Sequence, residues 1–391
     1  MSRWAVAGIR AVAICLLMPW MMLTAAAAER EEPDFGLWEE RMAGEWEGID
    51  HFLEGRASDG GMEVSFSGLA KALAAGEWQK AGEMAVGGLK QSLLQEVSRG
   101  GRLAGELLAL GLIGAVFANF SHIFAEGQIS ETAFFMTYLL VFTVLASSFT
   151  DSMAIVGSVL THQVEFMKVL VPCYFPVVAW AGGSASSVAW MEFLLLLIAA
   201  VQWLYLRLIL PVTRVYILLV LAGNIVREDM LTRLTELLRS LACWGSRSLL
   251  GLVLGFQLIQ GMVLPYADSL QMAGINRLLQ VIPGIGDGAG AVTKMVLGTG
   301  VLVKNSMGAA AVVVLVVLSA VPLLKLAILL ILYRSVAGIL QPVGDKRLVA
   351  CISSVAEGQR MLLGLAASGL LLFAATIALV CLGTNGVYLG A

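Results

Sequence analysis

Apolar residues run through this chain in blocks of roughly twenty, separated by short polar or glycine-rich stretches, and blocks of that length predict helices that cross a bilayer. Leu103 to Phe124 is the first block, and Ala133 to Phe149 begins the second before Asp151, Glu165 and Lys168 interrupt it. The interface is the expected place for Glu165 and Lys168, because an ion at the bilayer centre costs ~3 kcal/mol or more. Val169 to Gly183 contains Pro172 and Pro176 and predicts a re-entrant or broken helix. Val188 to Val226 is long enough for a kinked pair, with Arg207, Pro211 and Arg214 at its middle. Those arginines would snorkel or mark a cytoplasmic edge.

Arg227 to Arg247 has the spacing of an amphipathic surface helix, with Leu231, Leu234, Leu237, Leu238 and Leu241 on its apolar face. Leu249 to Leu264 is apolar again and places Gly251 and Gly255 in G-x-x-x-G spacing, which permits close helix approach. Ala309 to Tyr333 reads as a span containing Pro322 and Lys325, followed by a short helix from Ser335 to Gln341 and a polar turn from Pro342 to Arg347. Leu362 to Leu382 is the last span. The fold class is all-α, a polytopic integral membrane protein with an extracytoplasmic helical N-terminal region.

That N-terminal region has its own pattern. Arg3 and Arg10, the apolar run from Ala11 to Leu23 and the small residues Ala25 to Ala28 have the order of a secretory signal peptide, giving residues 1–28 as the signal. Residues 29–100 follow as extracytoplasmic amphipathic helices, and residues 101–391 form the multi-span membrane domain. From Glu29 to Asp59 there are eleven acidic residues against Arg30, Arg41 and Arg56, a balance suited to an extracytoplasmic segment. Within it Phe35, Trp38, Met42, Trp46, Ile49, Phe52 and Leu53 recur at helical spacing. Two further helices are predicted from Phe66 to Ala75 and from Glu77 to Val97, parted by Gly76. About 70 residues make a small domain, so this region needs a membrane surface or another subunit to pack on.

Composition sharpens the class. Of the 391 residues 59% are hydrophobic and 14% charged, against about 25% charged in soluble domains. A formal net charge of -3 with scattered basic residues gives no case for nucleic acid as a partner. Cys15, Cys173, Cys243, Cys351 and Cys381 form no C-x-x-C pair and imply no disulfide framework. His51, His122 and His162 are too far apart in sequence for a local metal motif.

The stretch that departs from this pattern runs from Pro283 to Lys294 and on to Gly308. Gly284/Gly288 and Gly286/Gly290 repeat small-xxx-small spacing, with Asp287, Lys294, Lys304 and Asn305 close by. Gly300 to Ser306 is not a phosphate-binding loop, since Val303 and Asn305 flank Lys304 where such a loop needs Gly and Ser or Thr. The glycine series also lacks the strand-then-helix setting of a dinucleotide site. No cofactor, metal or catalytic constellation emerges, and no enzyme is expected. The candidate pore or packing residues are Gly284, Gly286, Asp287, Gly288, Lys294, Lys304, Asn305 and Lys325. One reading makes the stretch a packed helix or interfacial loop. The other has Asp287, Lys294, Lys304 and Asn305 lining an aqueous path or pairing with Asp151 or Lys325. Lys325 stands out among them because it lies deep in an apolar run and needs a partner or water.

Several segments resemble the stage III sporulation protein AE family of endospore-forming bacteria. They are Ile282 to Asp287, Leu302-Val303-Lys304-Asn305-Ser306-Met307-Gly308, Pro322 to Lys325 and Leu340-Gln341-Pro342-Val343-Gly344-Asp345, with Thr132 to Tyr138 and Ser147-Ser148-Phe149 in support. The resemblance implies a membrane subunit of the transenvelope, secretion-like channel complex between mother cell and forespore, required for late sporulation. It would sit as a multi-pass protein in the mother-cell membrane around the forespore. The partners implied are other stage III sporulation membrane proteins, the lipid bilayer, and an oligomer or hetero-oligomer. The alternative class is a stand-alone secondary transporter of a small solute that uses Lys325 with Asp151 or Asp287.

Overall fold

The computed structural model describes residues 46–55, 65–86, 89–120, 127–180, 186–223, 232–279, 286–342 and 344–383. The signal-like start, most of the acidic segment and Gly284 lie outside the described residues. Those described are almost wholly helical.

Three short helices come first. In α1, helical over residues 46–55, Trp46, Ile49 and Leu53 are buried on one face. The Asp50 carboxylate, at the edge of this face, accepts from the backbone N–H of Phe66 at 2.5 Å and of Ser67 at 3.3 Å. The Ser65 hydroxyl accepts from Gly68 N–H at 3.1 Å. Together they satisfy three of the four N–H groups left open at the start of α2, Phe66–Ala74. Gly76, at φ +74, turns the chain in a conformation that favours glycine, into α3, Trp78–Val86. Phe66, Leu69 and Leu73 of α2 are buried in a helix that packs on the long α9 described below, and Phe52 lies 6.5 Å from Phe166. The described apolar faces of α1 and α2 thus find their cover on the bundle itself.

The bundle is built from α4 (Leu89–Phe120), α5 (Gly127–Trp180), α6 (Ser186–Leu204), α7 (Leu210–Gly223), α8 (Thr232–Leu279), α9 (Gly286–Leu340) and α10 (Lys346–Gly383). Several are longer than the sequence pattern predicts. The broken helix expected from Val169 to Gly183 is, as far as Trp180, the unbroken end of α5. Pro172 and Pro176 stand four residues apart on its exposed face, while Leu170, Val171, Tyr174, Phe175, Val177 and Val178 are buried. Burial of that many side chains, each worth about 1.5–3 kcal/mol, outweighs about 3 kcal/mol for each helix-interior proline. The surface helix expected to end at Arg247 and the apolar segment expected from Leu249 are one helix, α8. The short helix expected from Ser335 is the end of α9. Around Pro211 the expected kink takes the form of a π turn, Tyr205–Ile209, in which Leu210 N–H bonds to Tyr205 O. A proline that cannot donate is accommodated by this local re-registration of the ladder.

Side-chain contacts fix the direction of each helix. On α5 and α10, Phe149 meets Gly358, Gln163 meets Gly369 and Tyr174 meets Cys381, so these two run the same way. Arg239 with Glu357 and Gln257 with Thr376 align α8 with α10. Tyr333 with Ser148 and Ser319 with Gln163 set α9 antiparallel to α5. Lys168 with Gln202 and Tyr138 with Leu221 do the same for α6 and α7. Gly100 and Gly111 of α4 lie against Leu332 and Leu340, so α4 runs with α9. Successive long helices therefore alternate in direction.

Among the described residues, five stretches are long and apolar enough to cross a membrane by length and composition: Phe135–Ala179, Phe193–Gly223, Arg233–Ile259, Gly300–Leu340 and Lys346–Cys381. At 27 to 45 residues each exceeds the ~20 that a hydrocarbon core requires. The protein is an all-α, polytopic membrane protein.

Candidate functional site: a polar core inside the bundle

The interior of the bundle is crossed by hydrogen bonds between helices far apart in sequence. Gln163 Nε2 on α5 donates to Ser319 Oγ on α9 at 2.9 Å, and Gln257 Nε2 on α8 donates to Thr376 Oγ1 on α10 at 2.7 Å; all four residues are buried. Gln359 Nε2 on α10 faces the Leu326 carbonyl of α9 at 3.4 Å. The Tyr205 and Ser368 hydroxyls lie 3.0 Å apart, those of Ser148 and Tyr333 2.5 Å. Inside a low-dielectric bundle such bonds fix which helix faces meet, because any other register strands a polar group. Each glutamine spends its N–H on the neighbour, while the Oε1 atoms of Gln163, Gln257 and Gln359 are buried without a hydrogen-bond partner among the described residues.

Glycines mark the places where backbones come closest. A Cβ on Gly369 would lie 2.7 Å from Gln163 Oε1 and 2.8 Å from a Leu160 methyl group. One on Gly358 would collide with Ile217 of α7 and reach Phe149 of α5 at 3.1 Å. Gly251 and Gly255 behave differently, with nothing within 4 Å of a Cβ at either. Their G-x-x-x-G face is open in the single chain.

Of the candidates whose side chains are described, Lys304 lies deepest. It is fully buried on α9, one turn before Gly308, and Met307 beside it is equally enclosed. Gly308 faces α5 and α10 together: a Cβ there would overlap the Cys381 sulfur and lie 3.1 Å from Tyr174 Oη. Tyr174 Oη and Cys381 Sγ are themselves 2.7 Å apart and buried. Lys304, Gly308, Tyr174 and Cys381 therefore form one polar cluster at the junction of three helices. Asn305 Oδ1, next along, is buried without a hydrogen-bond partner among the described residues. Lys325 lies 21 residues further along α9 and is half-buried. Gly286, Asp287, Gly288 and Lys294 fall on the opening turns of α9, continuous with the apolar run, and their side chains lie outside the described set.

Asp151 is exposed, three residues beyond the Ser148 whose hydroxyl meets that of Tyr333. Tyr333 stands 29 residues beyond Lys304 on the same helix, about 40 Å at 1.5 Å per residue. Lys304 and Asp151 thus belong to opposite ends of the bundle. Tyr174, Cys381 and the three glutamines were not singled out from sequence. The usable signal was the glutamines themselves, amides standing in apolar runs where a polar side chain needs a reason.

The profile of the stage III sporulation protein AE family matches residues 64–384. The chain belongs to this family. The match opens two residues before α2 and closes one residue after α10, so it takes in the whole bundle with α2 and α3 but not α1. The chain is also 23% identical over 301 residues to stage III sporulation protein AE of Bacillus subtilis (strain 168), which covers 77% of this chain and 74% of that protein. No solved structure matches the chain. Membership makes this a sporulation-family membrane protein.

Proposed function

We propose that the chain is a membrane subunit of a transenvelope, secretion-like channel complex between mother cell and forespore, acting late in sporulation from the mother-cell membrane around the forespore. Family membership supports the process. The observation that carries the subunit reading is the bundle itself: Gln163 and Gln257 spend their N–H groups on neighbouring helices, while the G-x-x-x-G face at Gly251 and Gly255 is open among the described residues. A chain of this kind contributes a rigid wall, and its partners are other stage III sporulation membrane proteins or further copies of itself. Gly286 and Gly288 lie on the same helix as Lys304, and their small-xxx-small spacing with Gly290 and Gly284 suits them to a helix contact.

The experiment is affinity purification of the tagged chain from sporulating cells in mild detergent. The proposal expects co-purification of other stage III sporulation membrane proteins, lost when Gly286 and Gly288 are both replaced by leucine while the chain is still made. A chain that purifies alone, and moves a small solute across liposomes by itself, would establish the transporter reading instead.

A further inference from the structure

One surface of the bundle carries an excess of positive charge. Between Phe193 and Gly223 the charged residues are Arg207 and Arg214; between Arg233 and Ile259 they are Arg233, Arg239, Arg247 and one acid, Glu236. All five arginines are exposed. They stand among exposed apolar side chains on the same helices, including Leu208, Val215, Leu237, Leu241 and Leu252. Trp203 and Trp244 are 63% and 67% exposed beside them.

The helix contacts set four of these arginines in two tiers, and Arg233 lies six residues, about 9 Å, beyond Arg239 on α8. Ile209 packs against Gly245, which brings Arg207 level with Arg247. Ile217 packs against Gly358, next to the Glu357 that pairs with Arg239, which brings Arg214 level with Arg239. The tiers are about 10 Å apart along the helices. A headgroup layer is roughly 5–7 Å thick, and arginine stems reach several ångströms along a helix, so one layer serves both tiers. Beyond the belt in one direction, Asn305 to Leu324 of α9 and Met361 to Gly383 of α10 carry no charge, each about the length that crosses a hydrocarbon core. Exposed tryptophan beside arginine, bordering an uncharged slab, is the pattern of a bilayer interface. On α5, half-buried Glu165 lies beside Phe166, on which Phe52 of α1 packs, while Lys168 is exposed at the depth of that slab and donates to Gln202 of α6, from where its ammonium can snorkel toward the belt.

From this arrangement we infer that the α6–α8 face is a binding surface for anionic phospholipid headgroups, with Arg207, Arg214 and Arg247 as phosphate contacts and Trp203 and Trp244 seated at the same interface. Arg239 is shared with Glu357, which also accepts from Arg360, and it ties the belt to α10. The surface rests on the reading of α6–α8 as membrane-embedded and adds to it a choice of lipid. It selects phosphatidylglycerol-type over zwitterionic headgroups, since net positive charge near a membrane surface gains from anionic lipid.

The full chain in detergent is offered equal amounts of phosphatidylglycerol and phosphatidylcholine of matched acyl chains, and retained lipid is counted by native mass spectrometry. Phosphatidylglycerol should be retained preferentially, with the preference falling of order fivefold for each arginine removed on the way to R207Q/R214Q/R247Q. R207K/R214K/R247K should keep the preference, and Lys80→Gln on α3 should not alter it. Equal retention of the two lipids by the wild type, or an undiminished preference in the triple glutamine variant, would overturn the inference. Failure of the membrane reading would show separately, as release of the chain from cell membranes by alkaline carbonate.

Discussion

The Tyr174 hydroxyl on α5 and the Cys381 sulfur on α10 lie 2.7 Å apart, and both press on Gly308 of α9. Three helices are thereby held at a point where the middle one has no side chain. Gly308→Ala should destabilise the protein by about 1–3 kcal/mol through overpacking. Thermal unfolding in detergent would read this, and Cys381→Ala added to it should restore part of the loss because it removes the sulfur that the new methyl meets. A Gly308→Ala variant as stable as the wild type would contradict the packing.

Glycines in α10 should divide into two kinds. Gly358→Ala forces a methyl into Ile217 and should lower the melting temperature. Gly364, with nothing within 4 Å of its Cβ position, should gain about 0.5–1 kcal/mol on change to alanine from helix propensity alone. Parallel melts of the two variants check the sign of each.

The Gln163–Ser319 bond gives a cycle with a definite outcome. Ser319→Ala leaves the Gln163 amide without its acceptor and should cost about 1–3 kcal/mol. Adding Gln163→Leu removes the stranded amide and should recover most of that cost. Simple additivity of the two changes in equilibrium unfolding would show that the pair is uncoupled.

Lys304 separates stability from function. Replacing a buried charge with an apolar side chain of similar size is often neutral or stabilising, so Lys304→Met should leave unfolding unchanged or shift it upward. If the lysine is kept for its role in a channel, the same variant should reduce heat-resistant spore counts. Normal sporulation by a folded Lys304→Met protein would make Lys304 a packing residue only.

Much of the fold is legible in the sequence because apolar blocks near twenty residues, capping residues such as Ser65 and a lone turn glycine such as Gly76 are local signals. Helix ends were harder to place. Pro172, Pro176 and the charges of α8 mark boundaries by local rules, yet the helices continue because packing against neighbours outweighs the local cost. The candidate site was legible only in part. Lys304 and Gly308 stood in a recognisable segment, but their partners Tyr174 and Cys381 are 207 residues apart and no local spacing joins them. Lys325 attracted attention by its depth in an apolar run, whereas full burial belongs to Lys304 nearer the start of the span.

The alternating direction of the long helices is the claim on which the membrane account rests, and cysteine accessibility in intact sporulating cells tests it most directly. With Cys15, Cys173 and Cys243 replaced by alanine and the buried Cys351 and Cys381 kept, a cysteine introduced at Gly223 or Asp345 should react with a membrane-impermeant maleimide from one side of the membrane, and one at Ser186 or Gly383 only from the other. Labelling of Gly223 and Gly383 from the same side would contradict the arrangement.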